Sequence, residues 1–135
     1  MEPRGIRNNN PGNINRTTDH WIGESRDQSS DPRFVVFDLP EWGIRALARV
    51  LRMRFNVGAD TVRKLIAAWA PPSENDTEAY VQAVAAQMGI DPDAPITSID
   101  DVLHSIVPAI IQHENGEQPY APELLAQGIQ AEKHL

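Results

Sequence analysis

The sequence predicts one α+β domain, mainly α, with a small β lobe near its N-terminus. Apolar residues recur at helical spacing through most of the chain beyond Pro40, each run carrying recognisable start and stop signals. Before Pro40 lie two short runs of β type, His20–Gly23 and Arg33–Phe37. The 135 residues make one domain, 1–135, with enough apolar content (41%) to bury a core. There is no cysteine, so neither a disulfide framework nor a cysteine-zinc site is available.

Taken in order, Arg4 to Asn15 reads RGIRNNNPGNIN, too rich in Asn, Gly and Pro for a helix. Ile6 and Ile14 bracket it as apolar anchors. Its amides, Asn8, Asn9, Asn10 and Asn13, suit either a structural turn or hydrogen bonding to sugar hydroxyls and acetamido groups. The polar stretch Glu24 to Pro32 joins the two β-type runs as a loop too long for a tight hairpin. Trp21 suits the core or a sugar-stacking platform. Glu24 is an exposed loop acid or a catalytic one.

Pro40 opens an amphipathic helix to Asn56, with Ile44, Leu47, Ala48, Leu51 and Phe55 on one face and Gly58 just past the end. Arg45, Arg49 and Arg52 occupy another face and read as solvated. Asp60 or Thr61 caps a shorter helix through Ala68, which Pro71-Pro72 ends. Asn75 followed by Glu78 has capping-box spacing, and Gly89 stops that helix after Met88. Tyr80, one turn in, is either a packing residue or a hydroxyl facing a cleft. Asp91 to Thr97 forms a loop. Ser98, with Asp101 three residues on, caps a last long helix whose apolar face runs from Ile99 to His113. Pro108 inside it removes one backbone hydrogen bond and predicts a kink. Glu114 stands in its final turn, and Gly116 stops it. A further helix starts at Pro122.

Charge narrows the partners. The net charge of −7 argues against nucleic acid as the main one. Every arginine lies between Arg4 and Arg63, so a basic first half facing an anionic polymer is the alternative to a solvated helix face. No apolar run is long enough to insert in a membrane, and the N-terminus lacks the apolar core of a signal peptide. The expectation is a chain made in the cytoplasm as a soluble monomer, with any export assisted.

The chemistry with most support is that of a carboxylate. His20, His104, His113 and His134 are scattered without metal-binding spacing, and no nucleophile elbow or phosphate loop is present, so neither a metal nor another cofactor is expected. A glycosidic oxygen leaves only when protonated, and an ordinary Glu, titrating near ~4.3, is the wrong donor at neutral pH. Apolar surroundings and the negative end of a helix dipole both raise a carboxyl's pKa, and the sequence places Glu114 where both are expected. A solvent-exposed contact at a helix end is the plainer reading of the same position.

The segments RGIRNNNPGNI, Trp21–Gly23, FDLPEWGIRAL, WAPPSENDTEAYVQAV and AIIQHENGEQPY together resemble a family of small phage-encoded proteins related to lysozyme-like muramidases and lytic transglycosylases. The resemblance runs from Pro3 to about Ala131. It implies a lysozyme-like domain, mainly helical, with a small β lobe and a glycan-binding cleft between lobes. Glu114-Asn115-Gly116 looks like the helix-terminal Glu-Ser-Gly of these enzymes, with Asn115 in place of Ser. Asn9-Asn10-Pro11-Gly12-Asn13-Ile14 looks similar to their Asn-Asn-x-x-Gly-Ile segment, with its glycine displaced. The two stand in reversed order along the chain, which implies a circular permutation.

The resemblance implies that Glu114 is the general acid in cleaving the β-1,4 bond between N-acetylmuramic acid and N-acetylglucosamine of peptidoglycan. It implies that Tyr80 orients the substrate or intermediate. The implied substrate-binding set is Asn8, Asn9, Asn10, Asn13, Trp21, Glu74, Asn75 and Asn115. A hydrolase would use a second carboxylate, with Glu24 first and Glu74 next; a lytic transglycosylase needs none. The place of action is the cell wall, at lysis or as a virion component. The competing expectation is a non-catalytic virion or wall-binding module with the same fold.

Overall fold

The computed structural model describes residues 2–70 and 76–134. It is mainly helical, with six helices among the described residues: α1 Arg4–Arg7, α2 Pro40–Asn56, α3 Val62–Trp69, α4 Thr77–Met88, α5 Ile99–Asn115 and α6 Pro122–His134.

The helix limits follow from local chemistry. α2 begins on Pro40 at its first position, where the missing N–H costs nothing. Thr61 caps α3, its hydroxyl accepting from the Lys64 N–H at 3.1 Å. Ser98 caps α5 by accepting from the Asp101 N–H. The cap of α4 is Asp76, which accepts from the Ala79 N–H, one residue later than the expected Asn75; Asn75 and Glu74 lie outside the described residues. Gly89 and Gly116 close α4 and α5 in the left-handed conformation, both with φ of 72°. α5 continues through Pro108, and the Gln118 side chain donates to the Pro108 carbonyl at 3.0 Å.

α5 is the central post. Ile106, Val107, Ile110 and Ile111 are fully buried, meeting Val81 and Val84 of α4 and Ile44, Leu47 and Leu51 of α2 in one core. α6 packs most extensively on α2, and Gly128 permits the approach: a Cβ there would lie 2.6 Å from Ile44 Cγ2. A smaller cluster of Ile14, Val35, Phe37 and Ala46 joins the N-terminal loops to the other side of α2.

Two expectations are corrected here. Arg4–Arg7 is a single helical turn rather than part of an irregular run. Among the described residues the β lobe amounts to isolated antiparallel bridges, Asn15 with Phe34 and Glu24 with Phe37. The reason lies in the side chains around 33–37. The Val35 N–H donates to the Ile14 carbonyl, but the Arg33 and Phe34 N–H groups go to Asp31 Oδ1 and the Val36 N–H to Gln28 Oε1. Asn10 donates to the Val35 carbonyl and Asn9 to that of Phe37. The segment is extended as predicted, but side chains satisfy much of the backbone that a neighbouring strand would otherwise engage.

Asp31 is the knot of this lobe. Fully buried, it accepts from Arg4 Nε and Nη2 at 2.6 and 2.7 Å and from Asn8 Nδ2 at 2.8 Å, besides the two backbone N–H groups. The Arg4 guanidinium, aided by the backbone donors, outweighs burial and holds the carboxyl well below the usual carboxylate range. A carboxyl whose pKa is lower folded than unfolded stabilises fully above its unfolded value, near ~3.9, and loses that contribution as pH falls toward the folded value. Asp31→Asn should therefore cost about 3 kcal/mol at pH 7. In thermal melts the gap to wild type should narrow as pH is lowered from about 5. A gap that stays constant with pH would show that the carboxylate's charge is not what holds the lobe.

Candidate functional site

A cleft of about 930 Å³ runs between the helical body and the N-terminal loops. Its helical wall comes from Val50, Met53 and Arg54 of α2, Ala68 and Trp69 of α3, and Glu114 of α5. Gly12–Asn15, Asp19, Trp21 and Phe34 line the loop side.

Glu114 reaches the cleft because α5 delivers it in its last turn, half-buried, just before Gly116 ends the helix. Asn13, from the far end of the chain, donates its amide to Glu114 Oε1 at 3.1 Å. The loop is set to do this. Asn9 and Asn13 both adopt left-handed φ of 53°, a conformation Asn tolerates better than most side chains. Asn10, fully buried, donates to the Ile14 and Val35 carbonyls and accepts from the Ile14 N–H. Asn115, next to Glu114, donates to the Pro11 carbonyl at 2.8 Å and to Ile111 at 2.9 Å. The loop is thus stitched directly to the end of α5. Gly5 sits at the seam, where a Cβ would come within 2.6 Å of Asn115 Oδ1.

Tyr80 packs from α4 against His113 of α5, ring centroids 3.8 Å apart. Its hydroxyl is buried and makes no hydrogen bond of good geometry. Burial first, then the adjacent Glu114 carboxylate, push its pKa up, while the Trp69 indole acts the other way. The phenol therefore stays an O–H beside Glu114 at any physiological pH. Tyr80→Phe should leave the melting temperature nearly unchanged, because the lost hydroxyl has no good partner to lose. A large destabilisation would mean that the hydroxyl is a structural bond.

The sequence-predicted residues separate into groups. Glu114, Asn13 and Trp21 line the cleft, with Tyr80 behind the acid. Asn8, Asn10 and Asn115 are buried and bonded within the protein, and Asn9 is bonded to the Phe37 carbonyl, so their amides frame the site. Glu24 is not part of the cleft wall; its carboxylate lies 3.1 Å from His20 Nδ1. Glu74 and Asn75 fall outside the described residues.

Asp19, in the polar run before Trp21, is a carboxylate on the cleft wall that pattern reading passed over. Trp69, the last residue of α3, is an aromatic that helical spacing alone assigns to the core. It is half-buried and lines the cleft, and its ring lies against Gly12, where a Cβ would come within 2.9 Å of it. Its place just before Pro71-Pro72, at the exit of a helix, was the available signal. Among the described residues no three acidic or histidine side chains converge as a metal site requires, and no helix is long and apolar enough to cross a membrane.

No protein-family model matches the sequence. Protein P5 of Pseudoalteromonas phage PM2 is 39% identical over 131 residues, an alignment covering 94% of this chain and 80% of that protein. Identity at that level over nearly the whole chain settles kinship, and the chain belongs to the family of phage PM2 protein P5.

Proposed function

We propose that this protein is a phage lysin that cleaves the β-1,4 bond between N-acetylmuramic acid and N-acetylglucosamine in peptidoglycan, with Glu114 as general acid. The observation that carries the reading is the Asn13–Glu114 pair on the wall of a long cleft flanked by Trp21 and Trp69. The fold proposed with it is a circularly permuted lysozyme-like domain. In support, the Asn-rich loop meets the helix-terminal acid across 101 residues of chain, joining in space the two segments whose order is reversed.

Glu114 gives its proton to the glycosidic oxygen as the C1–O bond breaks, leaving positive charge on the anomeric carbon. In the transglycosylase course the muramic C6 hydroxyl attacks that carbon, and Glu114 takes the hydroxyl proton, returning to its acid form with a 1,6-anhydro product. In the hydrolytic course water attacks that carbon instead, and its proton passes to a carboxylate base. Asp19 then replaces Glu24 as the second carboxylate, because it shares the cleft with Glu114. The Tyr80 hydroxyl, unbonded at rest beside Glu114, is free to donate to that carboxylate once its proton has left, and Tyr80→Phe loses this donor, with activity falling about tenfold or more. The site of action is the cell wall, reached as a monomer at lysis or from the virion.

The test is to incubate the purified protein with insoluble peptidoglycan and measure both sedimented protein and released sugars. Release of soluble fragments supports the enzyme. Co-sedimentation without release, where a control lysin clears the same walls, favours the non-catalytic wall-binding module.

A further inference from the structure

Beside the cleft lies a second basin of about 380 Å³, floored by Arg45 and rimmed by Arg49, His20, Trp21 and Ile22. Asp19, Trp21 and Met53 line both spaces, so the two adjoin.

Arg45 is the unusual member. Although cationic, it is only 6% exposed, and its Nε is buried without a hydrogen-bond partner. The acid nearest in effect is Glu132 of α6, which interacts with Arg45 through space only. Glu132 is itself engaged by Arg52 at 2.9 and 3.0 Å and by Arg49 at 3.5 Å. One buried carboxylate thus faces three guanidiniums, of which Arg52 also bonds Asp100. Burial and the like charge of Arg49 both disfavour the charged form of Arg45. A buried cation left short of partners is costly, and a bound anion relieves that cost. Asp19 on the rim opposes an anion, and His20 is turned toward Glu24. Trp21, Ile22 and Met53 add apolar surface, which suits an organic acid better than a hydrated inorganic ion.

We propose that this basin is a carboxylate subsite that takes the anionic peptide side group of a glycan strand whose sugars lie in the adjoining cleft. The identity of the strand rests on the glycan-cleaving reading above; the carboxylate specificity rests on Arg45 and Arg49 alone. Selection would follow from guanidinium–carboxylate hydrogen bonding.

The test is calorimetric titration of the intact protein with a soluble disaccharide-peptide bearing free carboxylates, beside the same compound with its carboxylates amidated. The expected result is about tenfold weaker binding of the amidated form, the equivalent of one charge-assisted contact. Arg45→Gln should erase the difference, and the more exposed Arg49→Gln should reduce it without disturbing the fold. Equal binding of the two compounds by wild type overturns the proposal, a result that needs no variant. A carboxylate preference in a protein that releases no sugars would retain the subsite and remove the enzyme. Sugar release without the preference would do the reverse.

Discussion

Glu114→Gln should lower peptidoglycan cleavage by a factor of about 10²–10⁴ while the protein stays folded. The substitution keeps the size of the side chain and an oxygen able to accept from Asn13, so the 3.1 Å contact that seats the loop is preserved. It removes the group that gives and retrieves a proton. Helix α5 should be indifferent, because the residue is half-buried in its final turn and the core side chains precede it. Thermal melts of the two proteins should therefore coincide within a few degrees. A mutant that cleaves as fast as wild type would move the search to Asp19, the other carboxylate on the cleft wall.

Gly43→Ala should be among the most destabilising single-methyl changes in the chain. Gly43 lies inside α2, where Ala is intrinsically better by about 1 kcal/mol. Here the intrinsic preference loses. A Cβ would fall 1.9 Å from the Asn9 carbonyl oxygen and 2.9 Å from its carbon, backbone atoms that cannot turn away as a flexible side-chain tip would. Relief requires moving either the helix or the loop, at roughly 3 kcal/mol or more. For a domain of this size that is a fall in melting temperature of about 10 °C. The displaced loop is the one that ends in Asn13, so activity should fall further than stability alone explains. Wild-type stability in Gly43→Ala would mean that the loop is not seated on α2.

Much of the helical body was legible because its signals are local. Pro40 and the spacing of Ile44, Leu47 and Leu51 place α2 at its observed limits, and Ser98 and Gly116 bracket α5 in the same way. What escaped depends on partners far along the chain. Arg45, Arg49 and Arg52 read as a solvated face because nothing nearby in sequence announces Glu132, which sits buried 80 or more positions later. The Asn-rich run offered two readings, and the fold divides them residue by residue. Asn8 and Asn10 bond inward to Asp31 and Val35, whereas Asn13 reaches Glu114. The extended segment at 33–37 has strand-forming residues, yet Asp31, Gln28, Asn9 and Asn10 occupy backbone groups that a strand partner would use. Composition does not record that competition.

The most direct test of a glycosidase built on Glu114 is mass spectrometry of the soluble products from purified peptidoglycan, wild type beside Glu114→Gln at equal folded concentration. Muropeptides ending in 1,6-anhydro or reducing muramic acid, from wild type alone, are the predicted result, and the end formed names the reaction. Equal products from both proteins, or none from wild type, would contradict it.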